Sequence, residues 1–305
     1  MTLAELVRSL LKPQYVFRPV QLVRRVAWRS QRRGERTVTA PLAWGMPITC
    51  FAGDSIGLGI QQLGVFELTV SEALWRLAEP GETALDVGAN VGQMTGLLSL
   101  RLGPSGRVIA FEPGAEVRDL LERNVAAWRA GWPVARTDVE SAALSDHDGE
   151  GELLIPPYYE WNRGLASVAA DHAPAGGERR RIRLARLDSV VPDRVAVGVM
   201  KVDVEGHERA VLQGAQALLA AHRIRDIVYE DHGGYPTDVS RILESHGYHV
   251  FSLRSRLWGP RLEPADGTTT APAWESPNFV ATLDPLRART RLAPRGWRVL
   301  GARRA

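Results

Sequence analysis

The sequence predicts an α/β domain built on a doubly wound, mostly parallel sheet. Three observations carry that expectation. From Thr83 onward, short apolar runs alternate with amphipathic ones, as strands and crossover helices do. The first run, Ala84-Leu-Asp-Val, turns through Gly88-Ala-Asn-Val-Gly92 and opens a helix; such a turn lets backbone come close to a ligand and aims free N–H groups at negative charge. The next run, Arg107-Val-Ile-Ala-Phe-Glu112, ends in an acid twenty positions after Gly92, where a carboxylate can hold two ribose hydroxyls.

Taken in order, residues 1–36 read as one or two basic amphipathic helices, broken near Pro13 and Pro19. Leu3, Leu6, Val7, Leu10 and Leu11 share one face, and arginines oppose a second stripe at Leu22, Val23 and Val26. The bland expectation is a helix packed on the main domain. Docking on a membrane surface or a partner is the sharper one. Residues 37–70 alternate strand-like runs with turns and are expected to form a small antiparallel piece over the sheet edge. A helix is expected over 71–80, ending at Pro80-Gly81. Strands follow near 83–87, 107–111, 134–139, 198–203, 226–230, 248–253 and 278–283, and helices near 92–102, 115–127, 207–221 and 238–246. The last two strands make a terminal antiparallel hairpin on a seven-stranded sheet. Residues 151–185 break the alternation. They hold Pro156-Pro-Tyr-Tyr-Glu-Trp161 and the flexible Ala173-Pro-Ala-Gly-Gly177, and are read as a substrate lid. The expected division is an extension over 1–70, a cofactor-binding domain over 71–285 and a basic surface tail over 286–305.

Composition narrows the classes further. The 305 residues are 45% hydrophobic and 24% charged, ordinary for a globular protein. One cysteine, Cys50, excludes an internal disulfide and a cysteine-rich metal site. No window approaches the ~18 apolar residues of a membrane span. Glu5 and Arg8 interrupt the first apolar run, so a signal peptide is not expected, and the cytoplasm is the simplest compartment. The net charge is only +3, with Lys12 and Lys201 the only lysines. That is not the footprint of a nucleic-acid binder.

The turn decides between nucleosides. A dinucleotide fingerprint, G-x-G-x-x-G, brings a pyrophosphate against the backbone. Here Asp86 immediately precedes the turn. A carboxylate repels a pyrophosphate and attracts the ammonium end of a methionine moiety. The pattern favours S-adenosylmethionine over NAD.

A second cluster is Val199-Met-Lys-Val-Asp-Val-Glu-Gly-His-Glu208. A central parallel strand should be apolar on both faces. Lys201 and Asp203 break that rule and share a face. Glu205, His207 and Glu208 follow at the carboxyl rim, where open α/β sheets bind ligands. The next strand ends in Tyr229-Glu-Asp-His232 on the same rim, so Lys201, Asp203, Glu205, His207, Glu230 and His232 can converge. The plain alternative is an ion-pair network with Gly206 in a tight turn. A divalent metal is not expected; if one binds, Asp203, Glu205 and Glu230 are the oxygen ligands.

Four motifs in order, Leu-Asp-Val-Gly-Ala-Asn-Val-Gly, Ala-Phe-Glu-Pro, Leu187-Asp-Ser189 and Lys201-Val-Asp-Val-Glu-Gly-His-Glu208, resemble the FkbM-type methyltransferase family over roughly 64–283. Trp44-Gly45 and Gly64-Val-Phe-Glu67 resemble one branch of it. The resemblance implies a class I methyltransferase fold, S-adenosylmethionine as donor, and O-methylation of a sugar, polyketide or other secondary metabolite. The family often has an aromatic where Gln93 stands. On this reading Glu67, Asp86, Gly88, Asn90, Gly92, Thr95, Glu112 and Ser145 bind the cofactor, with Glu112 on the ribose and Ser145 near the adenine. His207 is the first candidate base, because an imidazole with an ordinary pKa near ~6.5 suits neutral pH, and His232 is the second. Asp203 or Glu230 orients the imidazole or the hydroxyl, and Lys201 holds Asp203 ionised. Two rivals remain. A nucleic-acid methyltransferase would need an acceptor of hydrogen bonds where Ile155-Pro-Pro-Tyr158 has isoleucine. A catalytically silent cofactor-binding scaffold would dock through residues 1–36. A small-molecule substrate is expected, no nucleic acid is, and self-association is open.

Overall fold

The computed structural model describes residues 13–17, 36–157, 159, 162–168, 177–267 and 277–301. Most of the basic 1–36 segment therefore lies outside the described residues, as do Tyr158 and Trp161. The first strands, β1 (Thr37–Pro41) and β2 (Pro47–Phe51), form an antiparallel hairpin. Helices Ser55–Leu63 and Leu68–Leu77 follow. The alternating core then runs through β3 (Thr83–Val87), β4 (Arg107–Phe111) and β5 (Arg136–Glu140), linked by helices Gln93–Leu102 and Ala115–Gly131.

Where a lid was expected, the chain builds a second sheet. Its strands are β6 (Ala143–Leu144), β7 (Gly149–Ile155), β8 (Ser167–Val168) and β9 (Glu178–Ala185), in the order β6-β9-β7-β8. The Arg179–Arg183 run is a strand of this sheet. Arg183 lies opposite Glu150 and Arg181 opposite Glu152, and Arg179 reaches Glu152 at 2.8 Å. Cross-strand charge pairing of this kind stabilises an exposed ladder.

The main sheet resumes with β10 (Val197–Val202), β11 (Ile224–Glu230), β12 (His249–Arg256), β13 (Gly259–Pro264) and β14 (Asn278–Thr282). Its order is β13-β12-β14-β11-β10-β3-β4-β5. Strands β3, β4, β5, β10 and β11 are parallel, and β14 runs antiparallel between β11 and β12. This is the class I methyltransferase arrangement with one strand added. The expected loop after β12 folds back as β13, so the sheet has eight strands rather than seven.

Two apolar layers clothe the sheet. In β3, Ala84 joins the layer of helices Gln93–Leu102 and Ala115–Gly131, while Leu85 and Val87 join the opposite one, as a period of two requires. The helix expected over 207–221 is two helices, Glu208–Gln213 and Gln216–Ala220. The break falls at Gly214, where a Cβ would lie 1.9 Å from the Ser145 carbonyl oxygen; the chain there must run against a neighbouring backbone. The β1–β2 hairpin packs on helix Ala115–Gly131 instead of the sheet edge. The Asn124 amide accepts from Thr49 N–H and donates to Thr49 C=O, at 2.8 and 2.9 Å, and Trp128 Nε1 donates to Pro47 C=O at 2.5 Å.

The tail is no surface appendage as far as residue 301. Leu292, Trp297, Val299 and Leu300 are buried, and a buried Glu72–Arg76 pair holds the segment to helix Leu68–Leu77. Among the described residues, no helix is long and apolar enough to cross a membrane.

Candidate active site

The chain runs outward from β3 to β5 and returns beside β3 as β10. Ligands bind at the carboxyl ends of strands on either side of such a reversal. A cavity of ≈ 290 Å³ opens there. The turn after β3 lines it with Gly88 and Asn90, and the end of β4 supplies Glu112. Gly88 has φ of 76°, and a Cβ there would lie 1.9 Å from the Asp203 carbonyl oxygen. Only glycine lets these two loops meet. The Glu112 carboxylate accepts Asn90 N–H at 2.9 Å and Gly114 N–H at 2.8 Å, one on each oxygen. It is thereby aimed, with lone pairs to spare, at the space it lines. Burial pushes its pKa up to about 7 against the pull of those two N–H groups.

Across the cavity lie Lys201, Asp203, Glu205 and His207 after β10, and Glu230 and His232 after β11. Lys201, 5% exposed, donates to Gly88 C=O at 2.7 Å. Its ammonium stands 3.2 Å from Asp203 and 3.8 Å from Asp86. Burial alone would lower its pKa, but Asp203, Asp86 and Glu67 outweigh burial and raise it. Glu230 meets His232 at 3.0 Å. The tight turn holds Glu205 and Gly206 at φ of 54° and 94°. Glu208, which sequence reasoning left without a role, closes that turn by accepting Val204 and Gly206 N–H.

The expected site residues divide in two. Glu67, Gly88, Asn90 and Glu112, with the six on the β10 and β11 rim, line the cavity. Asp86, Gly92, Thr95 and Ser145 stand behind the wall. Thr95 donates to Asp86 Oδ2 at 2.5 Å, and Asp86 Oδ1 is buried without a hydrogen bond, facing Lys201. Asp86 therefore anchors the turn from beneath. Gly92 admits Leu121, whose Cδ1 would sit 2.5 Å from a Cβ there. Ser145 is 1% exposed, and its hydroxyl is taken by His207 Nε2 at 3.0 Å and Asp146 at 3.2 Å. The Ser145 hydroxyl is thus engaged by the imidazole and by Asp146.

Gln93 shows what replaces an aromatic at that position. It is 5% exposed, accepts Phe66 N–H and donates to Phe66 C=O, each at 2.7 Å. The clamp fixes the residue before Glu67, whose backbone is left-handed at φ 49°. Such a conformation persists in a non-glycine residue only when its surroundings hold it. Burial, then Asp203, pushes the Glu67 pKa up to about 8. Burial and Asp203 likewise bring Glu205 to about 7. Both acids have native pKa values above their ordinary 4.5, so the native state holds more protons than the unfolded chain between those values. Stability is then highest below about pH 4.5 as far as these two groups are concerned, and is lost as pH rises through about 7 and 8. The ligand-free protein is expected to lose melting temperature as pH rises from about 4.5 to about 8, the interval between the ordinary and native values; a Glu67→Gln variant should flatten that slope. An equal slope in the variant excludes Glu67 as its source.

The inserted segment supplies a wall through Leu153 and Val168 of its sheet and Arg163 of the turn between them. The Arg163 guanidinium lies 3.9 Å over the Phe51 ring and 5.6 Å from the Tyr159 ring. Tyr159 is 8% exposed, so it pins this wall. Nothing in the sequence marked Arg163, because its partners Phe51, Tyr159 and Glu116 come from the hairpin, the inserted segment and helix Ala115–Gly131. Among the described residues, no group of three or more His, Cys, Asp or Glu side chains is arranged to hold a metal ion.

The site fits S-adenosylmethionine in charge and shape. A carboxylate braced by backbone N–H groups suits the ribose, a close-packed glycine turn suits the methionine end, and a net acidic lining suits a sulfonium cation. Known proteins agree. The AMB antimetabolite synthetase AmbE of Pseudomonas aeruginosa is 28% identical over 211 residues, 56% of this chain and 10% of that one. The chain thus spans a tenth of that synthetase. The 31-O-demethyl-FK506 methyltransferase FkbM of Streptomyces tacrolimicus is 28% identical over 207 residues, 59% of this chain and 77% of that one. The hexuronic acid methyltransferase AglP of Haloferax volcanii is 28% identical over 185 residues, 58% and 67% of the two chains. Residues 86–250 match the methyltransferase FkbM domain, which takes in both walls of the cavity from Asp86 to Glu230 and beyond. The chain belongs to the FkbM family of S-adenosylmethionine-dependent methyltransferases.

Proposed function

We propose that the chain methylates a hydroxyl of a sugar, polyketide or other secondary metabolite. One observation carries the reading: a single cavity joins the Gly88, Asn90 and Glu112 wall to the rim of Lys201, Asp203, His207 and Glu230. When bound, S-adenosylmethionine supplies a methyl group already activated by its sulfonium. The protein then has to align a hydroxyl, exclude water and accept a proton. Alignment is worth roughly 7–11 kcal/mol in favourable cases. Glu112 holds the ribose, and Gly88 and Asn90 receive the methionine end. His207 accepts the proton of the hydroxyl; burial lowers its pKa, which keeps the imidazole neutral and ready as a base. Lys201 pairs with Asp203 at 3.2 Å, and Asp203 and Glu230 orient the hydroxyl. The names of the Streptomyces and Haloferax relatives, which specify 31-O-demethyl-FK506 and a hexuronic acid, support an oxygen acceptor. The pairing of Arg179 with Glu152 and Arg180 with Glu178 supports a substrate other than nucleic acid, since those guanidiniums already have carboxylate partners.

Calorimetric titration with S-adenosylhomocysteine, in magnesium and in EDTA, tests the cofactor half. Tight binding indifferent to EDTA is expected. A screen of hydroxylated metabolites for a gain of one methyl tests the acceptor half. Glu112→Ala should weaken S-adenosylhomocysteine by about 10²-fold, because each hydrogen bond to a charged group is worth about 1.5–3 kcal/mol. His207→Ala should keep that affinity and lose about 10²–10⁴-fold in turnover. Full turnover in the histidine variant removes it as the base.

A further inference from the structure

The hydrogen-bond chain behind the cavity determines which nitrogen of His207 can act. Ser145 has one hydroxyl proton, and its oxygen donates it to Asp146 Oδ1 at 3.2 Å. The same oxygen lies 3.0 Å from His207 Nε2. A hydroxyl that donates to Asp146 accepts from Nε2, and Nε2 then carries the hydrogen. In a neutral imidazole one nitrogen is a donor and the other an acceptor. The lone pair is therefore left on Nδ1. Asp146 is kept an acceptor because hydrogen bonds from His147, at 2.7 Å, and Ser145 hold its carboxyl below the ordinary range.

Position supports the arrangement. Ser145 follows directly on β6 and is 1% exposed. Its backbone is fixed on both sides: its N–H donates to Ala185 C=O at 2.9 Å, and its C=O packs against Gly214. His207 starts the helix Glu208–Gln213 and makes no capping bond with its own side chain, so neither ring nitrogen is spent on the helix end, and the residue lines the cavity.

We propose that Ser145 and Asp146 are positioning residues that lock His207 in the Nε2–H tautomer and so make Nδ1 the atom that accepts the proton of the methyl acceptor. In the step itself the hydroxyl oxygen forms a bond to the methyl carbon and the carbon–sulfur bond breaks with its electron pair going to sulfur. The hydroxyl proton passes to Nδ1. The inference rests on His207 being the base, and locking matters because the wrong tautomer would present a donor to the hydroxyl. A neutral imidazole without such a partner populates both forms.

The tautomer measurement needs no acceptor. Protein labelled with nitrogen-15 in histidine is examined by long-range proton–nitrogen correlation above the ordinary imidazole pKa, with His207→Gln identifying the signal. The wild type is expected to show His207 as Nε2–H alone. Ser145→Ala removes the accepting oxygen and should give mixed tautomers, whereas Ser145→Thr, which keeps a hydroxyl, should restore the single form. Asp146→Ala, at a half-exposed position and therefore safe for folding, frees the serine proton to donate to Nε2 and should move the population toward Nδ1–H. An Nδ1–H pattern in the wild type overturns the inference. So does an Nε2–H pattern untouched by Asp146→Ala, whether or not Ser145→Ala folds. Failure of the underlying reading would look different: the tautomer shifts would occur as described, while His207→Gln still transferred methyl groups at the wild-type rate.

Discussion

Replacing Lys201 with methionine is expected to cost about 3–5 kcal/mol of stability, the usual penalty for stranding a buried charge. Domains of this kind are held by only ~5–15 kcal/mol, so the variant should unfold at a much lower denaturant concentration with the slope of the transition unchanged. Two carboxylates are responsible. Asp86 is fully buried, with Oδ1 lacking a hydrogen bond and Lys201 its nearest cation at 3.8 Å. Asp203 stands at 3.2 Å. Methionine fills the space and leaves both charges behind. A second substitution, Asp86→Asn, should return part of the loss, since removing both members of a buried pair costs less than removing one. Binding suffers as well. Lys201 holds the Gly88 carbonyl, so S-adenosylhomocysteine affinity should fall together with stability. A single variant within ~1 kcal/mol of the wild type would show that water reaches this cluster and screens it.

Lys201 was legible in the sequence because it violates a strong rule: a charge in the middle of a strand buried on both faces. The same logic found Asp203, and the positions of Glu112 and Glu230 at strand ends followed from strand periodicity alone. The parallel strands were legible within a few residues for the same reason. What escaped were contacts made by side chains with the backbone of distant segments. Gln93 looks like a departure from a pattern until its amide is seen grasping both polar groups of Phe66. Nothing in the sequence shows that the Ser145 hydroxyl stands between His207 and Asp146. The strand β13 was hidden because Gly259, Pro260 and Pro264 punctuate it, and edge strands tolerate proline. The inserted sheet was hidden because β6 and β8 are two residues each, too short for any alternation to register.

The tail shows the same limit at greater energetic weight. Arg76 is expected to be the most costly single residue outside the cavity. Its guanidinium bonds Glu72 at 2.6 Å and donates to the carbonyls of Leu292, Pro294 and Gly296. Glu72 in turn accepts the N–H groups of Arg298 and Val299, both at 2.9 Å. Both side chains are 0% exposed. The pair therefore replaces water for five backbone groups of a segment without a regular partner. Arg76→Ala leaves the buried Glu72 carboxylate without a countercharge and three carbonyls without their donor, so about 3–5 kcal/mol should be lost. The C-terminal segment should detach first, exposing Trp297, now 6% accessible, to quenchers and the chain beyond Leu292 to protease. The loss should reach the active site by a short path. Helix Leu68–Leu77 carries Glu72 and Arg76, and Glu67 is its N-terminal flanking residue. A loosened helix should relax the strained Glu67 backbone while leaving the Glu112 side of the cavity intact. S-adenosylhomocysteine affinity should then change by less than in Glu112→Ala even though stability falls further. If Arg76→Ala instead abolished cofactor binding while Trp297 stayed protected, the clamp would be acting on the cavity and not on the tail.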